Sequence, residues 1–306
     1  MFEDIVIVVE GKGAPLKIAA LRGSVDKFVG QMRDLVSYGS RQLDRDRLHV
    51  LSGAPAKFFD ASGRCVLEID GARVRRCYQV MPCLDGLGDV GTTMPRLREL
   101  GVLDESMNPW IVGLTDLHVV IDMLTKPAEL VGYLDFRDRW TRDPRLIITD
   151  ELELLSLFLH QVDLPGKLAR LPEGGQAHAA PSQSVLDAWY DGMAGHGLVV
   201  DRPRIRSTKR FRRFVHEVQR TKPAGWLASA AAALQVPLTV GRALDESEGK
   251  LARNAKGSGG LITGDLEFRY VVADERQRYP VLSDDMTSPN GTHVLFLRRH
   301  GNRLRL

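Results

Sequence analysis

The stretch "EDIVIVVEGKG", residues 3–13, decides how the chain is read. Ile5, Val6, Ile7, Val8 and Val9 are apolar and mostly β-branched without alternation, the pattern of a strand covered on both faces. Gly11, Gly13 and Pro15 end it. Residues two apart on a strand project to one face, so Glu10 and Lys12 should emerge together, with Gly11 turned away. A carboxylate there can ligate Mg²⁺ through oxygen. A lysine beside it can orient an attacking water and offset charge building on a phosphate. The competing reading is a buried strand with a solvated, charged end.

From Ser24 to about Leu51 the period becomes helical, with Val25, Phe28, Val29, Met32, Leu35, Val36, Leu43 and Leu48 at steps of three and four. Gly39 is expected to bend that helix. "RCVLEID" and "ARVRRCYQVMPCL" flank Asp70-Gly71, a turn signal that predicts a hairpin between them. "PWIVGL" (109–114) reads as a strand, followed by a helix from Thr115 or Asp116 to Leu124 and another from Pro127 to about Trp140. Asp150 with Glu153 forms a capping box for a helix ending near Val162.

"PEGGQAHAAPSQ" (172–183) is rich in Pro, Gly and small polar residues and reads as a linker. It divides the chain into an α/β domain over 1–171 and an α+β domain over 184–306. In the latter, "SVLDAWYDGM" and "GWLASAAAALQV" read as helices, and "LEFRYVVA" and "THVLFLRR" as strands. "KGSGG" (256–260) lacks the spacing of a phosphate-binding loop and reads as a flexible connection.

Glu10-Gly11-Lys12 at the end of a buried strand resembles the third motif, E-x-K, of the PD-(D/E)xK nuclease superfamily. The resemblance covers roughly residues 3–160, though only the tripeptide has motif content. It implies a restriction-endonuclease-like α/β fold, a mixed sheet flanked by helices. It also implies Mg²⁺-dependent hydrolysis of DNA phosphodiesters: Glu10 holding the metal, Lys12 positioning water, and a glutamine on the following helix, Gln42 or Gln31, helping to orient the site. A further strand should follow that helix, and "CYQVMPCL" fits.

The family's metal needs a second acid, usually on the strand before E-x-K. Asp4 has the right parity, but six residues put it about 20 Å from Glu10, whereas two carboxylates on one Mg²⁺ lie only a few ångströms apart. The family's first helix and strands have no counterpart ahead of Asp4. The expectation is therefore an incomplete fold, truncated at its N-terminus, with impaired catalysis. A start assigned too late, a decayed gene, or an acid from another subunit would each account for it. The strand edge left open could pair a homodimer.

Hydrophobic content of 43% and charged content of 26% are those of a soluble globular protein. No run approaches a membrane span, and Glu3 and Asp4 ahead of the apolar run do not suit a signal peptide. Cys65, Cys77 and Cys83 lack C-x-x-C spacing and read as free thiols, which makes the cytoplasm the expected compartment. The eight scattered histidines do not suggest zinc.

Net charge is +3, yet "RPRIRSTKRFRRFVHEVQRTK" (202–222) holds nine Lys or Arg against Glu217, a local charge of +8. Arg206, Lys209, Arg210, Arg212 and Arg213 are the candidate contacts to nucleic-acid phosphates. Phe211 and Phe214, three apart, would pack inward from the same helix. The segment reads either as a solvated helix face or as a nucleic-acid contact, the latter sufficient for a non-catalytic binding module.

Overall fold

The computed structural model describes residues 4–13, 25–85, 89–178, 184–223, 225–242, 245, 258–263, 266–273, 293–300 and 303–305. The chain is mixed α/β, with small parallel and antiparallel sheets and helices around them. It divides into two compact units, Met1–Asp122 with Arg137–Leu154, and Met123–Phe136 with Leu155–Leu306. The division falls inside three helices, Leu114–Met123, Pro127–Trp140 and Glu151–His160, and not in the stretch 172–183.

In the first unit, β1 (Ile5–Val9) is the expected strand. Ile5 and Val6 are buried, while Val9 is exposed. Two helices follow, α1 (Val25–Met32) and α2 (Tyr38–Val50), joined without a break by a π-helical turn, Arg33–Ser37. A π turn takes up an extra residue and re-phases the stripe after it. Met32 and Val36 before Tyr38, and Leu43 after it, therefore meet one core with Met81, Cys83 and Ile111. Ser37 Oγ donates to Val102 O at 2.6 Å and ties the wide turn to the next segment.

The hairpin lies elsewhere than Asp70-Gly71 predicts. β2 (Pro55–Phe59) pairs antiparallel with β3 (Cys65–Asp70). The turn between them is built by Asp60, whose Oδ1 accepts from Ser62 N at 2.9 Å and Arg64 N at 3.0 Å, and by Gly63 at φ 82°. Gly71 instead opens a short 3₁₀ turn, Gly71–Arg73. A Cβ on Gly71 would stand 2.6 Å from Ala54 O and 2.7 Å from Val50 O. That glycine allows backbone to pass against backbone, a role its sequence neighbourhood disguises as a hairpin turn.

Freed of β3, β4 (Arg76–Cys83) joins β1 in a parallel ladder from Ile5↔Arg76 to Val9↔Val80. After α3 (Asp89–Thr92) and α4 (Met94–Glu99) comes β5 (Trp110–Gly113), also parallel to β4. Among the described residues this sheet is all parallel, in the order β1-β4-β5, with β1 at an edge. Its carboxyl ends all point one way, and ligands of open parallel sheets bind beyond such ends.

Helices α5 (Leu114–Met123) and α6 (Pro127–Trp140) follow closely, then β6 (Leu146–Ile147) and α7 (Glu151–His160). Asp150 Oδ1 accepts from Leu152 N at 2.8 Å and Glu153 reaches back to Thr149 N at 3.0 Å, so the capping pair forms. Arg137, 2% exposed, donates Nε to both oxygens of Glu151, 4% exposed, at 3.1 Å, and its Nη2 donates to Gly91 O at 2.9 Å. The buried charge is thereby paired and hydrogen-bonded, the condition under which such a pair is tolerated.

The second unit contains α8 (Leu164–Leu168), β7 (Ala177–His178), α9 (Ser184–Met193), α10 (Lys209–Thr221) and α11 (Trp226–Ala233). Gln161, buried and at φ 52°, ends α7; its Nε2 donates to the carbonyls of Phe158 and Leu234, and its own carbonyl accepts from Leu238 N at 3.2 Å. A Cβ on Gly132 would sit 3.2 Å from Ala231 O, a close approach of α6 to α11. The unit closes with β8 (Ser258–Thr263), β9 (Leu266–Ala273), β10 (His293–His300) and β11 (Arg303–Arg305), ordered β11-β10-β9-β8. β9 and β10 run parallel and the outer pairs antiparallel. Three of the five residues of the expected flexible "KGSGG" are thus strand: Ser258, Gly259 and Gly260 pair with Val271, Tyr270 and Arg269.

Candidate functional site

The ladder of β1 does not stop at Val9. Glu10 N donates to Val80 O at 3.0 Å, Lys12 N to Pro82 O at 2.8 Å, and Leu84 N to Lys12 O at 3.2 Å. Lys12 therefore bridges to Cys83 in the same parallel register. This continuation holds residues 10 and 12 in extended backbone, which sends both side chains to the face of Val6 and Val8. Helix α2 covers that face, with Val50 beside Val6 and Leu43 beside Met81.

There the three residues singled out for the site come together. Lys12 Nζ donates to Glu10 Oε1 at 2.8 Å and to Gln42 Oε1 at 2.7 Å. The Lys12 side chain is 13% exposed and that of Glu10 31%. Both bonds use one ammonium, so the acceptors of Glu10 and Gln42 stand within about 5.5 Å of each other. An ammonium has three N–H donors; Glu10 and Gln42 take two, leaving one for a water or a phosphate oxygen. Gln31, the other glutamine considered, lies on α1 before the π turn, and Gln42 is the one bonded to Lys12.

Two further residues shape the site. The Lys12 ammonium lies 5.0 Å from the centroid of the Tyr38 ring. Gly39 takes the place a side chain would need, since a Cβ there would be 2.6 Å from Lys12 Cε and 2.5 Å from Met81 Sδ. Gly39 is therefore less a bend than a slot for the lysine stem. Its spacing from Gln42, three residues along one helix face, is the signal that could have placed it. The Cys83 thiol is pushed up to about 11 by burial, with Lys12 opposing the shift and Asp85 adding to it. It is an inert packing group that senses the lysine charge.

A resident metal needs more oxygen donors than this. Asp4 starts the strand as expected: its carbonyl accepts from Arg75 N at 2.8 Å, and its carboxylate faces Arg75 Nε at 3.7 Å. Asp85 lies in a bend beyond the end of β4, where its charge acts on the Cys83 thiol. Among the described residues, no three His, Cys, Asp or Glu side chains gather into a metal-binding group.

In the second unit, the basic segment has the expected amphipathic form. Thr208 Oγ1 caps α10 by accepting from Phe211 N at 3.5 Å. Phe211, Val215 and Val218 are 1%, 6% and 3% exposed. Arg206, Lys209, Arg212 and Arg213 are exposed. Arg210 is half-buried, with Asp245 Oδ1 4.0 Å away.

Compared with family models, curated proteins and solved structures, the chain matches none. Among the described residues, no helix is long and apolar enough to cross a membrane.

Proposed function

We propose that this chain is a nuclease-like protein that engages DNA phosphodiesters at Glu10, Lys12 and Gln42, with Mg²⁺-dependent hydrolysis impaired by the shortage of carboxylates. The supporting observation is the meeting of Lys12 with Gln42 at 2.7 Å across thirty residues of chain, beside Glu10 at 2.8 Å. Nothing in a solvated strand end requires a glutamine from the next helix to take the lysine. The pair of acceptors holds the ammonium aimed, so that its remaining donor can bind a phosphate oxygen and offset charge developing on it.

Supercoiled plasmid incubated with the full chain and Mg²⁺ tests this reading. Slow nicking, abolished by Lys12→Ala and by Glu10→Ala, is the expected result. Nicking that is equal in wild type and Lys12→Ala contradicts it.

A second reading is favoured by the four exposed cations of 206–213. In it the chain is a non-catalytic nucleic-acid-binding module. Binding that persists in EDTA, with no nicking by any variant, selects this reading over the first.

A further inference from the structure

We propose that helix α10 is a docking stripe for the phosphate backbone of duplex nucleic acid. The inference takes nucleic acid as the partner class from the readings above, but it does not depend on hydrolysis at Lys12. Successive helical residues turn by about 100°. On that wheel Lys209, Arg212, Arg213, His216 and Arg220 fall within roughly 100° of one another, centred opposite Phe211, Val215 and Val218. All five are exposed, and all three apolar residues are buried. From Lys209 to Arg220 the stripe runs about 16 Å, and Arg206 extends it in the segment before the cap.

The charges on this stripe are largely unneutralised. Arg220 is held by Glu217 at 2.6 Å. Among the described residues, Arg206, Lys209, Arg212 and Arg213 have no carboxylate within 4.0 Å. Arg206 is also anchored by its backbone, since its N–H donates to Leu159 O at 2.7 Å. Among the described residues these four cations lack a carboxylate partner, and together along one edge they complement a polyanion.

Two other polyanionic partners fit less well. A basic amphipathic helix binds a lipid surface by inserting its apolar face, and here that face is buried against the body of the unit. Single strands are held by rows of exposed aromatic platforms on which successive bases stack. Phe211 is buried and Phe214 half-buried, which leaves His216 as the one ring on the exposed stripe. A duplex presents phosphates without requiring stacking, and matches a stripe made of charge alone.

The test is equilibrium binding of the full chain, in EDTA, to a fluorescent 20-base-pair DNA duplex, to either strand alone, and to anionic vesicles. Four phosphate contacts give a salt slope near −3.6, so affinity for the duplex should fall about 150-fold between 50 and 200 mM salt. In Arg212→Ala with Arg213→Ala, two contacts remain and the fall should shrink to about 12-fold. Both substitutions are at exposed positions on a helix, and alanine preserves helicity. Lys57→Ala, which removes an exposed lysine on β2, should keep the wild-type salt slope, and the use of EDTA reads binding apart from Mg²⁺-dependent hydrolysis at the Glu10–Lys12 centre. An unchanged salt slope in the double variant overturns the proposal. So does tighter binding to single strand or vesicle than to duplex, and so does the absence of duplex binding at 50 mM salt.

Discussion

Replacing Gly39 by alanine probes the site through one methyl group. In most exposed helices this change stabilises, because alanine exceeds glycine in helix propensity by about 1 kcal/mol. At Gly39 the new Cβ would meet Lys12 Cε at 2.6 Å and Met81 Sδ at 2.5 Å. The lysine stem must give way, and with it the bonds to Glu10 and Gln42. Bonds involving a charged group contribute roughly 1.5–3 kcal/mol each; as Glu10 is about a third exposed, the lower end applies to both. Two such losses, set against the propensity gain, leave a net destabilisation of about 2 kcal/mol. At about 2–4 °C per kcal/mol for a unit of this size, the melting temperature should drop by about 4–8 °C. Gly30, on α1, is the control, since a Cβ there meets nothing within 4 Å. Gly30→Ala should hold or raise the melting temperature in the same circular-dichroism melt. If Gly39→Ala stabilises as much as Gly30→Ala, the lysine does not occupy the slot and the geometry of the site is wrong.

Burial, with Asp150 and Glu151 nearby, pushes the Asp116 carboxyl from the ordinary 3.8 up to about 6. The folded state then keeps a proton that the unfolded state has lost between these values, so stability falls as pH climbs through that window. Asp116→Asn should match wild type near pH 4 and exceed it at pH 7, and parallel melting curves across that range would contradict this. Arg137→Met leaves Glu151 buried without a counter-charge and should cost about 3–5 kcal/mol in urea unfolding. Replacing both partners with apolar residues should cost less. Among the three thiols, Cys65 is exposed, whereas burial raises Cys77 and Cys83 to about 11. Iodoacetamide at neutral pH should therefore label native protein at Cys65 first, as read by peptide mass spectrometry.

Part of the centre was legible in the sequence, because strand parity places Glu10 with Lys12. The glutamine was expected only by resemblance, which left Gln42 and Gln31 both open, and the bond from Lys12 singles out Gln42. The neighbours of β4 were not legible. Asp70-Gly71 carries the strongest local turn signal, but Asp60, Ser62 and Gly63 form the turn that closes the hairpin, and only packing against Ala54 and Val50 explains Gly71. The π turn at Arg33–Ser37 has no residue signature; it follows from fitting one helix to a core on both sides of it. Strand β8 escaped notice because glycines weaken the local strand signal, and its order comes from pairing with β9. Of the arginines on the basic helix, Arg212, Arg213 and Arg220 are exposed as an amphipathic reading requires, whereas Arg210 is half-buried toward Asp245.

On the proposed reading, the Glu10–Lys12–Gln42 centre is pre-formed yet one carboxylate short. Calorimetric titration of Mg²⁺ into wild type and Gln42→Glu tests it most directly, since that substitution places a second carboxylate within about 5.5 Å of the first. Wild type should show no saturable binding below the millimolar range. Gln42→Glu should bind measurably, and Glu10→Gln in that background should abolish the gain. Tight Mg²⁺ binding by wild type that Glu10→Gln removes would contradict the claim, by revealing another acid already in reach of Glu10.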